Sequence, residues 1–276
     1  MVTFESYSLL YKHIISIFGI GINSYVFMNS ESQNKGEIKN LLENPSKRIA
    51  IITHVNPDGD AMGSSLGLET VLKSMGHDTV VIAPNVYPEF LHWLPGNKNV
   101  LVFPADKAIA EKKISQTEVI FIIDFNDYRR VKKLKNLLEN SPAYKVIIDH
   151  HPCPESRANL NITDVSVSST AELVYQFIKD LELQKFINKE VATCLFTGIM
   201  ADTGCFSYNS SRKETYQVVS ELLDYGINKD EIYYRLYDNF TAKRMHLLGY
   251  ALNKKMEVLS EYKTALISLN KEELVK

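Results

Sequence analysis

The chain has 276 residues, enough for one large domain or for one domain and part of a second. Its 45% hydrophobic and 23% charged residues allow a buried core, which excludes a disordered or fibrous protein. The net charge of -2 gives no global positive field, so we do not expect long duplex nucleic acid as a partner. The three cysteines (Cys153, Cys194 and Cys205) form no CxxC pair and indicate no disulfide framework, so we expect a reducing compartment, most simply the cytoplasm.

The first 35 residues differ from the rest of the chain. Residues 14–28 are apolar apart from Asn23 and Ser24, but they are short for a membrane span and lack a strongly basic flank. Three interpretations are open: a weak anchor or signal, a helix packed on the domain, or sequence translated upstream of the true start. We favour the last, because the helix-like residues 37–42 and the apolar residues 48–53 would by themselves form a complete start of the domain. Residues 1–35 are therefore treated as an extension, and a membrane is not an expected partner.

Three apolar runs, residues 49–53, 119–123 and 146–148, are typical of strands that are buried on both faces. Each run is followed closely by side chains that ligate metals: His54, Asp58, Asp60, Asp124, Asp149, His150 and His151. The carboxyl ends of parallel strands meet at one edge of a sheet, where ligands bind. Carboxylates crowded there repel one another unless cations lie between them. The pattern predicts a cleft that holds a pair of divalent metal ions.

Helices are predicted between and after these strands. The expected helices cover residues 63–75, 128–139, 189–200, 213–225 and 230–237, with a further strand at 79–83 and mostly loop from 84 to 113. Ser169 is the expected N-cap of another helix that runs to about residue 181, with Glu172 at the capping-box position. Alternating strands and helices predict an α/β sandwich built on a parallel sheet.

The tail has a different pattern. A long helix is predicted over residues 241–259, followed by a strand at 263–269 that no later segment can pair. This pattern indicates the opening of a second domain. The predicted division is an extension at 1–35, a catalytic domain at 36–240, and a linker helix with the start of a truncated second domain at 241–276.

The sequence predicts a separate role for several residues around the predicted cleft. Gly63 would let the backbone approach a ligand, and the helix that begins nearby offers its positive end to a phosphate. His150 and His151 should point in opposite directions, as neighbours on extended backbone do, so that one ligates metal while the other faces the substrate. Asp149 is expected to orient an imidazole, and Asp202 to end an apolar helix in front of Thr203 and Gly204.

Five motifs occur in one order, and together they resemble those of a known family. They run from His54 to Ser64, from Asp124 to Arg130, from Asp149 to Pro152, from Ser168 to Glu172 and from Gly198 to Phe206. The sequence resembles the DHH phosphoesterase family, which is named for the Asp149-His150-His151 triplet, and within it the RecJ-like branch. The strongest resemblance is to enzymes of the bifunctional oligoribonuclease and pAp phosphatase (NrnA) type, over about residues 35–241.

The resemblance implies a role for each candidate residue. One Mn²⁺ would be held by His54, Asp58 and Asp124, and a second by Asp60, Asp124, His150 and Asp202, with Asp124 bridging. Mg²⁺ is the alternative ion. The resemblance also implies that His151 contacts the scissile phosphate and that Arg130 clamps it. Gly63 and Ser64 are candidate contacts to the substrate phosphate, and Asp149 is a candidate support for the ligands.

The resemblance further implies hydrolysis of short oligoribonucleotides to mononucleotides, of pAp to AMP and phosphate, or of both. Two alternatives are open: another hydrolase of the family, acting on linear or cyclic dinucleotides or on pyrophosphate, and a truncated nucleotide-binding module with poor catalysis. Family members of this type carry a second domain, DHHA1, whose glycine-rich motif nothing after Leu269 supplies. We therefore expect low substrate affinity. The expected partners are short RNA or pAp, and a homodimer is left open.

Overall fold

The structure is a computed structural model that describes residues 36–44, 46–152, 158–238 and 240–273. The predicted N-terminal extension and Cys153 lie outside these residues. The chain divides into two compact units, residues 1–45 and 46–276, and residues 36–43 of the first unit are helical. No helix within the described ranges is long and apolar enough to cross a membrane.

The second unit is built on a six-stranded parallel sheet. Its strands are β1 (Arg48–Ile52), β2 (Asp78–Ala83), β3 (Leu101–Val102), β4 (Val119–Ile123), β5 (Tyr144–Asp149) and β6 (Leu160–Thr163). They lie in the order β3-β2-β1-β4-β5-β6, and every neighbouring pair is parallel. All five residues of β4 are buried, which accounts for its unbroken apolar sequence. The predicted parallel α/β fold is confirmed.

The strand order reverses between β1 and β4. The chain continues from β1 to β2 and β3 on one side, and β4 to β6 lie on the other. Connections from two adjacent strands that leave in opposite directions open a crevice beyond their carboxyl ends, and this is where open α/β sheets bind ligands. His54 and Asp124 follow these two strands, so the topology itself places them beside the crevice.

Eight α-helices lie in the described part of the second unit. They are α1 (Gly59–Ser74), α2 (Lys107–Gln116), α3 (Lys135–Asn140), α4 (Thr170–Asp180), α5 (Lys189–Asp202), α6 (Lys213–Leu223), α7 (Lys229–Tyr233) and α8 (Ala242–Tyr250). A 3₁₀ segment, Tyr128–Leu134, precedes α3, and α7 and α8 each continue into a π-helical turn. Helices α1 and α5 cross closely, because a Cβ atom on Gly63 would lie 2.4 Å from the carbonyl oxygen of Cys194.

The structure corrects several predicted elements. Residues 84–113 are mostly loop, as predicted, but they also contain the two-residue strand β3 and the start of α2, whose buried face consists of only Ala110 and Ile114. Strand β6 was not predicted, because it is short and only Leu160 is buried. The helix predicted over 128–139 is divided into the 3₁₀ segment and α3, with Lys132 at φ 46° and ψ −107° where the helical geometry breaks.

The predicted tail also differs. Helix α8 ends at Tyr250, and β7 (Met256–Leu259) pairs antiparallel with β8 (Thr264–Ile267). The strand expected at 263–269 therefore has a partner, formed by residues that were assigned to the helix. Leu266 and Ile267 are 53% and 42% exposed, as expected for a strand with a poorly buried apolar face.

Candidate metal centre

Asp124 lies at the centre of the crevice. It follows β4 directly, is only 2% exposed and has a φ of 66°, a left-handed conformation that costs a non-glycine residue of order 1–3 kcal/mol. Its backbone N–H donates to the carbonyl oxygen of Ile148 at the end of β5. The turn at Asp124 therefore takes the chain away from the sheet while keeping the carboxylate between the ends of β1 and β5.

Four side chains surround the Asp124 carboxylate. The Oδ2 atom is 3.3 Å from His54 Nε2, and Oδ1 accepts a hydrogen bond of 2.8 Å from the Thr170 hydroxyl. The same Oδ1 atom is 3.7 Å from His150 Nε2 and 3.6 Å from His151 Nδ1. One carboxylate thus faces polar side chains from three segments of the chain, an arrangement that suits a bridging ligand.

The protonation of His54 is fixed by its own backbone. Its Nδ1 atom is 2.8 Å from the carbonyl oxygen of Val55, so in the neutral ring the proton belongs on Nδ1. Burial lowers the pKa of His54, which favours this neutral form. The Nε2 lone pair then faces Asp124 Oδ2. Two acceptor atoms that face each other at 3.3 Å are stabilised by a cation between them.

Asp58 and Asp60 occupy the turn into α1. Asp58 is exposed and caps the helix, because its Oδ1 accepts from the backbone N–H groups of Asp60 and Ala61, each at 3.0 Å. Asp60 is fully buried, and burial together with the charge of Asp124 raises its pKa well above the ordinary value. Asp60 is therefore a buried carboxylate whose charge is costly unless hydrogen bonds or cations offset it.

His150 and Asp202 complete the far side of the cluster. Their Nε2 and Oδ2 atoms are 3.2 Å apart, and Asp202 is the last residue of α5. Burial lowers the pKa of His150 and raises that of Asp202.

The six predicted ligands therefore fall into two groups, within each of which the potential ligand atoms all lie within 4.8 Å of one another. The groups are His54, Asp58 and Asp124, and Asp60, His150 and Asp202. A third group, Asp124 with His150 and His151, overlaps both sides of the cluster.

His150 and His151 do not point in opposite directions, and that prediction is wrong. Their ring centroids are 4.7 Å apart, with an edge-to-face angle of 67°. Strand β5 ends at Asp149, so the extended geometry on which the prediction depended has ended before the histidines. Asp149 Oδ1 is 2.7 Å from His151 Nδ1, and this hydrogen bond raises the pKa of His151. The imidazole that Asp149 contacts is thus that of His151.

Arg130 lies beside the cluster. Its guanidinium Nη1 donates to the carbonyl oxygen of Asp124 at 3.3 Å, and its own carbonyl oxygen accepts from the N–H of Val55 at 2.8 Å. These bonds connect the loops that follow β1 and β4. Its positive charge also lowers the pKa of His54 and His151 as a lesser cause, which places it near both rings.

Gly63 and Ser64 are both buried in the structure. Gly63 allows the close crossing of α1 and α5. The Ser64 hydroxyl donates to Asp60 Oδ1 at 3.1 Å. In this structure both residues thus serve packing and the support of Asp60, and their contact with a substrate phosphate stays a prediction.

Thr170 had no predicted role, although it lies within one of the five motifs. Its backbone N–H donates to Asp60 Oδ2 at 2.6 Å, and its hydroxyl donates to Asp124. A threonine just after a predicted N-cap, next to a motif of candidate ligands, was the available signal.

The chain matches known proteins over the part that builds this centre. The family model described as "DHH family, N-terminal domain" matches residues 48–199. A Bifunctional oligoribonuclease and PAP phosphatase NrnA from Thermus thermophilus is 32% identical over 72% of this chain and 56% of its own length. A Probable bifunctional oligoribonuclease and PAP phosphatase NrnA from Streptococcus mutans is 28% identical over 73% of this chain and 60% of its own length. The chain thus spans less than two thirds of these curated relatives.

A solved structure extends the comparison to the fold. The crystal structure of an exopolyphosphatase-related protein from Bacteroides fragilis superposes with a TM-score of 0.84 at 41% identity, covering 88% of this chain and 71% of that one. The family model covers more than half of the chain and includes all six strands of the parallel sheet and most of the candidate ligands. The chain therefore belongs to the DHH family of phosphoesterases.

Proposed function

We propose that the protein is a divalent-metal-dependent phosphoesterase that hydrolyses short oligoribonucleotides to mononucleotides and pAp to AMP and phosphate. The observation that carries the proposal is the pair of ligand groups that share one crevice around Asp124. The substrate class is supported by the two relatives named as oligoribonucleases and PAP phosphatases. Since the chain spans only part of these relatives, the substrates are proposed for this chain and tested below.

The side chains present fit a pair of divalent cations. The neutral His54 ring presents a lone pair to Asp124, and Asp60 is a buried carboxylate that needs compensation for its charge. Mixed imidazole and carboxylate donors suit Mn²⁺, with Mg²⁺ as the alternative. One ion would be held by His54, Asp58 and Asp124, and the other by Asp60, Asp124, His150 and Asp202. Two bound ions would supply a hydroxide nucleophile and stabilise charge on the phosphate in the transition state.

Two cationic side chains serve the phosphate in this proposal. His151 is 39% exposed, and its raised pKa favours a protonated ring that donates to a phosphate oxygen. Asp149 holds that ring through Nδ1, so Nε2 is the atom that is left for the substrate. Arg130 provides a planar guanidinium from the neighbouring loop, which suits a phosphate that carries two unprotonated oxygens.

The domain division belongs to the same proposal. We assign catalysis to residues 36–240 and the start of a second domain to residues 241–276. The matched family model, residues 48–199, lies wholly inside the first range.

The test is a substrate panel with purified protein. The panel contains pAp, a series of short 5′-labelled oligoribonucleotides, pyrophosphate, polyphosphate, and linear and cyclic dinucleotides, each with Mn²⁺, with Mg²⁺ and with excess chelator. Polyphosphate is included because a similar structure is named exopolyphosphatase-related. We expect metal-dependent release of mononucleotides from the shortest RNA and of phosphate from pAp.

Asp202→Asn is the matched control, because it removes one charge from a predicted ligand at the end of α5. It should abolish the activity in every metal condition. Selective cleavage of pyrophosphate, polyphosphate or a cyclic dinucleotide would replace the proposed substrate class. Nucleotide binding without cleavage of any substrate would support a binding module instead.

A further inference from the structure

Thr170 makes two contacts to carboxylates that are distant in sequence. Its hydroxyl donates to Asp124 Oδ1 at 2.8 Å, and its backbone N–H donates to Asp60 Oδ2 at 2.6 Å. The following residue, Ala171, donates its N–H to Asp60 Oδ1 at 2.9 Å. The first turn of α4 therefore touches one candidate ligand from each of the two metal groups.

The capping of α4 does not need the Thr170 hydroxyl. Ser169 is the N-cap, and its hydroxyl accepts from the N–H of Glu172 at 3.2 Å. A helix-start threonine without other partners would turn its hydroxyl to the solvent or to a local carbonyl. Here the hydroxyl is fully buried and donates to Asp124 instead.

A buried network holds this turn in place. The Glu172 carboxylate accepts from the N–H and the hydroxyl of Ser168, at 3.1 Å and 2.8 Å, and from the Thr215 hydroxyl at 2.9 Å. Glu172 is 4% exposed, so these bonds are not exchanged readily for bonds to water. The backbone just before Thr170 is thereby fixed to α6.

We propose that Thr170 is the positioning residue of the metal centre. Its hydroxyl sets the rotation of the Asp124 carboxylate so that Oδ2 faces His54, while the N–H groups of α4 hold Asp60 and stabilise its charge. The N-terminal end of a helix favours negative charge, which strengthens both contacts. Thr170 acts through the carboxylates and touches neither metal nor substrate. This inference rests on the proposed metal-dependent function.

The test measures Mn²⁺ affinity of the metal-free protein by isothermal titration calorimetry, without substrate. Thr170→Val removes the hydroxyl and keeps the backbone donor and the side-chain shape. Thr170→Ser, in contrast, keeps the hydroxyl and removes only the methyl group. Loss of a group that orients a metal ligand typically costs roughly 10- to 100-fold in affinity. We expect that loss in T170V and affinity within about threefold of the parent in T170S.

Thr117→Val is the matched control. Thr117 is also a buried threonine, but it lies just before β4, at the opposite edge of the sheet from the metal centre. Its hydroxyl donates to the carbonyl oxygen of Lys113. T117V should bind Mn²⁺ like the parent. Thermal unfolding in chelator compares the stability of the metal-free variants. If T170V does not fold, T170A, which lacks both γ groups, is used for the same comparison.

The outcomes separate the two proposals. Equal Mn²⁺ affinity of T170V and the parent overturns the positioning role and leaves the proposed function in place. Weak binding by T170V that T170S does not restore also overturns it, because the hydroxyl is then not the cause. If the parent itself binds no Mn²⁺, the proposed function fails and the positioning role fails with it.

Discussion

Asp124→Asn should stabilise the metal-free protein while abolishing its metal binding. The Asp124 carboxylate is buried, and the desolvation that results raises its pKa well above the ordinary value, with the charge of Asp58 as the next cause. Potential ligand atoms of Asp58 and Asp124 lie within 4.8 Å of each other. At an effective dielectric constant of about 20, two unit charges at that separation repel by roughly 3 kcal/mol.

Other contacts reduce the gain in folding stability that is expected from removing the Asp124 charge. The charge of His151 and the Thr170 hydroxyl both stabilise the ionised carboxylate. The asparagine amide, in contrast, would donate to the His54 lone pair. We therefore expect a net gain of roughly 1–2 kcal/mol, which for a domain of this size raises Tm by ~2–8 °C.

Thermal unfolding with and without Mn²⁺ is the assay. A ligand at a hundredfold excess over its Kd stabilises the folded state by about 2.7 kcal/mol, so the parent's Tm should rise on adding Mn²⁺ and that of D124N should not. The advantage of D124N in chelator should shrink as pH falls. With its raised pKa, the folded parent takes up a proton at Asp124 before the unfolded chain does. Two results together would contradict this prediction: a Tm of D124N below that of the parent in chelator, and a rise in the Tm of D124N on adding Mn²⁺ as large as that of the parent.

Three further changes test other parts of the centre. Under saturating Mn²⁺, Asp124→Ala should lose more activity than Arg130→Ala, because Asp124 belongs to both proposed metal sites; an Asp124 variant as active as the parent would contradict a two-metal mechanism. Asp149→Asn should lower the pKa of His151 in the metal-free protein, measured by NMR titration of the ring protons, since that carboxylate is the largest cause of the raised value; an unchanged titration would mean that Asp149 does not hold this ring. Gly63→Ala places a methyl group 2.4 Å from a backbone carbonyl of α5 and should cost ~2 kcal/mol, or a Tm about 4–8 °C lower, whereas an unchanged Tm would show that the helices separate freely.

The sequence predicts the centre of the fold well because the central strands are buried on both faces. Strands β1, β4 and β5 are continuous apolar runs, and the candidate ligands follow them directly. The parallel arrangement brings those ends to one edge, so sequence position alone places His54, Asp124 and His150 together. The prediction is accurate where burial dominates the choice of residues.

The errors occur where local pattern is weak or contacts are long-range. Strand β6 and helix α2 are half-exposed elements with few buried residues, so their apolar periodicity is faint. The paired orientation of His150 and His151 depends on where β5 ends, a boundary of one residue. The contacts of Thr170 to Asp60 and Asp124 span 110 and 46 residues, and no local pattern encodes such contacts.

The most direct test of the metal centre is anomalous diffraction at the manganese edge from crystals grown with Mn²⁺. We expect two anomalous peaks about 4 Å apart in the crevice between the ends of β1 and β4. One peak should contact His54 and Asp58, the other Asp60, His150 and Asp202, and Asp124 should contact both. A single peak, or peaks that Asp124 does not bridge, would contradict the two-metal centre.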